Sequence, residues 1–307
     1  MKIKFIPLLF LSLSLALLGC SSDNNKGSEF GRLSIQLTDA PFPHDLVAEA
    51  NVTIFKIEAR SKGEGTDEND APYLLLMEEE MEVNLLDLTN GISTTLVDAE
   101  VPAGSYDLFR VYVKGVNIVL TDGTVYDLKV PSGAESGIKV FVEPNIIVDG
   151  GLTADLLLDF DVSKSFVAKG NRKDAGGITG FNFNPVIKAS NLSTAGTLTG
   201  IIYTLNGEEE TPLEGAQICV FPEGTDFSEV IDCSEGTSIT STFSDETGMY
   251  TILGLEAGTY DVVAALIVES ETESSETESI EYRTVALGIT VVAANKTTLD
   301  FELEVLE

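Results

Sequence analysis

Strict alternation of apolar and polar residues is the feature that most constrains this chain. Leu33-Ser34-Ile35-Gln36-Leu37 alternates throughout, as does Phe109-Arg110-Val111-Tyr112-Val113, and residues 52–58 do so with one slip. Successive side chains of an extended chain point to opposite faces, so these runs specify strands with one buried face. No segment sustains a 3.6-residue period. The best helical candidate, residues 85–97, is short and interrupted by Gly91. Turn residues are dense. Thr121-Asp122-Gly123-Thr124 lies between apolar runs at 116–120 and 125–130 and predicts a hairpin. Asp149-Gly150-Gly151 and Leu205-Asn206-Gly207 predict similar ones. The expectation is an all-β chain folded as sandwiches.

Ser190-Asn191-Leu192-Ser193-Thr194-Ala195-Gly196 is a small, polar run between two strand-rich regions. It divides the chain into two expected sandwich domains in tandem, 31–190 and 197–307, which suits a length of 307 residues. Inside the second, the Glu/Ser/Thr run at 269–279 is read as a long acidic hairpin loop without the glycine turn and spacing of a calcium loop. One internal echo joins the two halves. Val101-Pro102-Ala103-Gly104-Ser105-Tyr106-Asp107 recurs in form as Leu255-Glu256-Ala257-Gly258-Thr259-Tyr260-Asp261. Each copy predicts a tight turn at Ala-Gly followed by a strand whose tyrosine packs at the end of a sandwich.

The amino-terminal stretch has a different logic. Lys2 and Lys4 precede an apolar run over 6–18 that closes on Leu17-Leu18-Gly19-Cys20. A basic start followed by such a run predicts a signal peptide over 1–19. The Gly-Cys ending resembles the lipobox of bacterial lipoproteins. That resemblance implies cleavage before Cys20, acylation of its thiol (palmitate included) and anchorage to a lipid bilayer, expected to be the outer membrane, with either face open. Residues 20–30 then form a polar, flexible tether. The formal net charge is −32. It argues against nucleic acid and anionic lipid headgroups as partners, since both would be repelled.

Cys219 and Cys233 remain as an even pair in a chain expected to be exported, so a disulfide between them is expected, with two buried thiols as the alternative. Asp159 and Asp161 stand two apart on an expected strand and share a face. Asp39 beside them would complete a carboxylate cluster for Ca2+ or an acid/base pair. Against that reading, Asp39 caps its own turn, the other two are edge carboxylates, and Lys139, Lys164 or Arg110 neutralise them. No other cofactor is expected. The sole histidine, His44, falls in a Pro-rich loop without a nucleophile elbow nearby, so no catalytic residue is assigned and no enzyme is expected.

Two resemblances cover most of the chain. Leu37-Thr38-Asp39-Ala40-Pro41, Val83-Asn84-Leu85-Leu86, Asn90-Gly91, Pro131-Ser132-Gly133 and Leu158-Asp159-Phe160-Asp161 fall in order over 31–189. With Pro185-Val186-Ile187 they resemble an uncharacterised domain family of Bacteroidetes lipoproteins, a domain of unknown function. Pro212-Leu213-Glu214-Gly215-Ala216, Asp245-Glu246-Thr247-Gly248-Met249-Tyr250 and Leu253-Gly254-Leu255-Glu256-Ala257-Gly258-Thr259-Tyr260 are similar to carboxypeptidase-regulatory-like, transthyretin-like sandwiches. These are grouped with carbohydrate-binding-like folds and often serve as spacers. The resemblances imply a membrane-anchored, non-catalytic binding or adhesion module of the cell envelope, with another envelope protein as partner. The alternative is a carbohydrate-binding accessory lipoprotein of a polysaccharide-uptake system, although the chain has no Trp.

Overall fold

Each alternating run lies in a strand whose apolar side chains face inward. Leu33, Ile35 and Leu37 are fully buried within β1 (Phe30–Thr38). The computed structural model describes residues 28–39, 46–62, 72–130, 135–171, 175–207, 209–227, 238–271 and 277–304, with the backbone alone over 269–271 and 277–280. After β1 come β2 (Val47–Ser61), β3 (Tyr73–Met77), β4 (Met81–Asn84), β5 (Thr94–Pro102), β6 (Gly104–Leu120), β7 (Val125–Leu128) and β8 (Ile138–Val148). β9 (Thr153–Phe160), β10 (Phe166–Gly170), β11 (Ile178–Phe183) and β12 (Ile187–Asn191) complete a first unit. One sheet has the order β12-β9-β1-β5, with β1 and β9 parallel. The other has β3-β2-β6-β7, with β4 on β2 and β8 on β6, and β10 and β11 form a separate hairpin. A single core from Leu33 to Phe183 lies between them.

The second unit comprises β13 (Ala195–Asn206), β14 (Glu209–Pro212), β15 (Gln217–Pro222), β16 (Thr240–Phe243), β17 (Met249–Glu256), β18 (Gly258–Glu271), β19 (Thr277–Val291), β20 (Lys296–Thr298) and β21 (Phe301–Glu302). Its sheets run β14-β13-β17, with β20 and β21 on β13, and β16-β15-β18-β19. They enclose a second core from Leu198 to Leu303. The chain is all-β, as its periodicity predicts.

Three local expectations are corrected. Residues 85–97 form no α-helix, only a 3-10 turn over Leu85–Leu88 followed by β5. Asn90 and Gly91 both take positive φ (56° and 78°), which ends helical winding, and Thr94 and Thr95 pair with β1. The turn at 149–151 is no hairpin, because it carries the chain from β8 in one sheet to β9 in the other. Gly150 is needed there: a Cβ would meet the Ser28 carbonyl oxygen at 1.9 Å, where the tether crosses the turn. In the acidic run at 269–279, Glu269, Ser270 and Glu271 are not loop but strand, paired to Ser279, Glu278 and Thr277, and residues 272–276 lie outside the described residues. The hairpins at Gly123 and Gly207 form as expected.

The internal echo has a physical basis. The Tyr106 hydroxyl donates to the Pro102 carbonyl (2.8 Å), and the Tyr260 hydroxyl donates to the Glu256 carbonyl (2.7 Å). Each phenol thus closes the Ala-Gly turn from four residues ahead, in the manner of a tyrosine corner. Burial raises the pKa of both phenols. The aspartate after each tyrosine turns inward. Asp107 accepts from Arg60, while Asp261 accepts from the backbone amides of Gly224 (2.7 Å) and Gly288 (2.9 Å). Tyr106→Phe is expected to cost about 1 kcal/mol in urea unfolding, and Tyr260→Phe, at a more exposed corner, roughly half of that.

Candidate functional site

The carboxylates singled out in the sequence gather where the two units meet. Parallel pairing sets Thr38 of β1 opposite Asp159 of β9, and Asp39 follows directly. On the other side of β9, Lys188 of β12 is the ladder partner of Asp159. Asp161 leaves the strand. β9 ends at Phe160, and Asp161 caps the single helical turn Val162–Ser165. Asp159 and Asp161 therefore do not share a strand face, which corrects that expectation. Asp161 Oδ1 accepts from the Lys164 amide (3.1 Å) and the Ser163 hydroxyl (2.6 Å), and Oδ2 accepts from Lys164 Nζ (2.9 Å). Lys188 Nζ stands 3.9 Å from the same oxygen. Asp39 caps the helical turn as well, not its own turn, by accepting from the Val162 amide (3.1 Å).

Of the cations expected to neutralise this cluster, Lys164 does so. Arg110 instead lies over the Tyr73 ring at 4.0 Å, and Lys139 lines the cleft described below. Lys188 carries no local signal for its role, since its partners come together only through strand pairing. Burial pushes the Asp39 carboxyl well above the ordinary carboxylate range, and the nearby Asp159 and Asp161 charges add to the rise. Burial also lowers the Lys188 ammonium pKa, helped by repulsion from Lys164. Among the described residues no group of three or more His, Cys, Asp or Glu side chains is placed to hold a metal, because Asp161 is committed to its cap and its lysine.

The same residues fasten the units together. Lys164 Nζ donates to the Ser238 carbonyl (3.2 Å), and Lys188 Nζ donates to the Ile239 carbonyl. On the far side of β1, the Asn90 side chain accepts from the Thr251 amide (2.6 Å) and donates to the Met249 carbonyl (3.2 Å). Gly91 follows so closely that a Cβ would meet the Thr251 methyl at 2.6 Å. The Asn-Gly pair that breaks the expected helix is thus the docking knuckle for β17. An Asn-Gly turn was legible in the sequence, but its target 161 residues away was not.

Beside the tie from Lys188 to Ile239 lies a cleft of about 590 Å³, within the range of small-molecule sites. Lys139, Phe141 and Glu143 of β8, Asp159 and Lys188 line it from the first unit, and Leu255, Glu256 and Tyr260 line it from the second. Phe141 is 61% exposed. The lining joins an apolar strip to carboxylates and ammonium groups, an arrangement suited to binding through ring contacts and hydrogen bonds.

Residues 30–185 match the model of a family described as Domain of unknown function (DUF4382), just over half of the 307 residues. The chain belongs to this family. The DUF4382 region thus comprises nearly all of the first unit, Asp39, Asn90 and Asp159 included, while the second unit lies outside it. No curated protein matches the chain. Solved structures similar to parts of it include a candidate carbohydrate binding protein from Pseudomonas aeruginosa (14% identity, TM-score 0.25, 36% of this chain and 92% of that one). A minor pilin of Streptococcus agalactiae is 12% identical (TM-score 0.24), with 89% and 96% covered. The major pilin subunit of Bacillus cereus is 10% identical (TM-score 0.23), with 90% and 70% covered. TM-scores this low bear on neither fold nor function here.

The remaining expected sites stand as follows. Cys219 is disulfide-bonded, and Cys233, its expected partner, lies outside the described residues. Cys20, the expected lipidation site, and His44 also lie outside them. No helix among the described residues is long and apolar enough to cross a membrane.

Proposed function

We propose that this chain is a non-catalytic binding module of the cell envelope, held to a membrane through Cys20, with the cleft between its units as the recognition site. The cleft carries this reading. It is the place where rings, carboxylates and ammonium groups converge on a ligand-sized volume, and both units contribute to it. In this reading the second unit, carboxypeptidase-regulatory-like in sequence, is half of the recognition surface and not only a spacer.

The carbohydrate reading rests on Phe141 and Tyr260, two rings flanked by Glu143, Asp159 and Glu256. Rings stack on the apolar faces of sugars while carboxylates accept from hydroxyls. On a glycan array, the full chain is expected to bind a restricted set of polysaccharides, with Phe141→Ala weakening that binding on the order of tenfold or more. An array without binding, or binding untouched by Phe141→Ala, would exclude sugar at the cleft and leave a protein partner. For the anchor, metabolic labelling with radioactive palmitate should mark the wild type in the membrane fraction and leave Cys20→Ala unlabelled. An unlabelled wild type would refute the anchor.

A further inference from the structure

The outer face of the β14-β13-β17 sheet carries a row of exposed apolar side chains. Alternate residues of a strand share a face, and Leu198 and Ile202 of β13 are fully buried in the core, so Ile201, Tyr203 and Leu205 point outward. Met249 of β17 is the ladder partner of Ile201, and Pro212 of β14 is that of Tyr203, which widens the row to three strands. Ile201, Leu205 and Met249 are 42%, 45% and 45% exposed. Isolated apolar residues are ordinary on a surface, but a contiguous row marks a contact site. The row also continues the join between the units. Next along the same face, Thr251 of β17 is the ladder partner of Thr199 and lies against Gly91, while Asn90 donates to the Met249 carbonyl. The first unit thus covers one end of this face, and the row begins where that cover stops.

The rim of the row is acidic. Glu210 is the ladder partner of Leu205 and Glu302 that of Tyr203, while Asp300 accepts from the Ile201 amide (2.9 Å). Desolvation raises the Tyr203 phenol pKa, and the charges of Glu302, Glu210 and Asp300 add to the rise, so all three carboxylates act on this ring. Among the described residues, no ladder partner of residues 201–206 is a lysine or arginine. We propose that this face docks a basic amphipathic helix of another protein, its apolar stripe on Ile201, Tyr203, Leu205 and Met249 and its lysines or arginines against Glu210, Asp300 and Glu302. A helix lying along β13 sets the cations that flank its stripe over the rim, whereas an extended strand turns alternate residues away from it. Residues 201 to 205 span roughly 13 Å of strand, the length of about nine helical residues. A second copy of this chain is a poor occupant, because it brings like carboxylates together on a chain of formal net charge −32. None of these residues lines the cleft, so the proposal is independent of what the cleft recognises.

The test titrates the full chain with two synthetic peptides of about fourteen residues, one built of leucine and lysine and the other of leucine and glutamate. Both carry their leucines at helical spacing on one face. Titration calorimetry is expected to show the lysine peptide binding and the glutamate peptide weaker by roughly a hundredfold or more. Tyr203→Ala and Leu205→Lys are each expected to weaken the lysine peptide on the order of tenfold or more, at an unchanged Tm. Glu281→Gln, on β19 of the other sheet, is expected to leave its affinity within about twofold. If Tyr203→Ala fails to fold, Leu205→Lys, at a position 45% exposed, still decides the matter. No binding of the lysine peptide at millimolar concentration, equal binding of the glutamate peptide, or an affinity untouched by Leu205→Lys would overturn the proposal. An equal loss in Glu281→Gln would overturn it too, since that reports diffuse attraction to an acidic chain.

Discussion

Asp107→Ala is expected to destabilise the protein by about 3–5 kcal/mol, a large effect for one side chain. Asp107 follows the corner tyrosine at the start of β6, and the β2–β6 ladder brings Arg60 alongside it. Arg60 Nε and Nη2 donate to the two carboxylate oxygens at 2.9 and 2.8 Å, and both residues are 9% exposed. Removing the carboxylate takes from the buried guanidinium the two charge-assisted hydrogen bonds that Asp107 accepts. Replacing both partners with apolar residues of similar volume, as in the double substitution Arg60→Met with Asp107→Leu, is expected to be far milder. Urea unfolding of the single and double variants reads this directly. The pH dependence carries the same signature. The hydrogen bond from Arg60, with its charge, holds the Asp107 carboxyl below the ordinary range. Its contribution is therefore complete above the ordinary carboxylate pKa and is lost as pH falls through the depressed value. Asp107→Ala should lack that component of acid destabilisation.

Phe160→Ala is expected to cost a comparable 3–5 kcal/mol, estimated from the roughly known price of emptying an aromatic site in a core. Phe160 is fully buried between Phe166, with ring centroids 6.5 Å apart, and Phe183, at 6.3 Å with the planes 12° apart. Phe166 and Phe183 are themselves 4.9 Å apart, so the three rings fill one region under the end of β9. Phe160 also stands between Asp159, which lines the cleft, and Asp161, which holds Lys164. A cavity there loosens both. Phe160→Leu retains most of the volume and should cost about 1–1.5 kcal/mol. Urea midpoints measured at constant m-value separate the two.

What was legible in the sequence follows from how local each signal is. β1 announced itself through Leu33, Ile35 and Leu37, because a period of two needs only neighbours. The hairpins at Gly123 and Gly207 were legible for the same reason, since a positive φ beside a polar turn residue is a local demand. Residues 85–97, the best helical candidate, wind only one 3-10 turn over Leu85–Leu88, because the Asn90-Gly91 turn that interrupts them answers to β17 in the other unit. The turn at Asp149-Gly150-Gly151 has hairpin chemistry, yet whether it joins neighbours or crosses between sheets depends on distant pairing. The Tyr-Asp corners were half legible: the repeat was visible, but not the inward aspartate. At the seam, Asp39 and Asp159 could be grouped by residue type. The roles of Asp161 as a cap and of Lys188 as a tie emerge only from three-dimensional pairing.

Scanning calorimetry of the full chain reads most directly whether the cleft belongs to one body. Asn90→Gly keeps the positive φ at that position and removes only the side chain that grips Thr251 and Met249. The ties through Asn90, Lys164 and Lys188 predict a single wild-type transition whose calorimetric and van't Hoff enthalpies agree, separating into two in Asn90→Gly. Two independent transitions already present in the wild type, unmoved by Asn90→Gly, would contradict a cleft shared between the units.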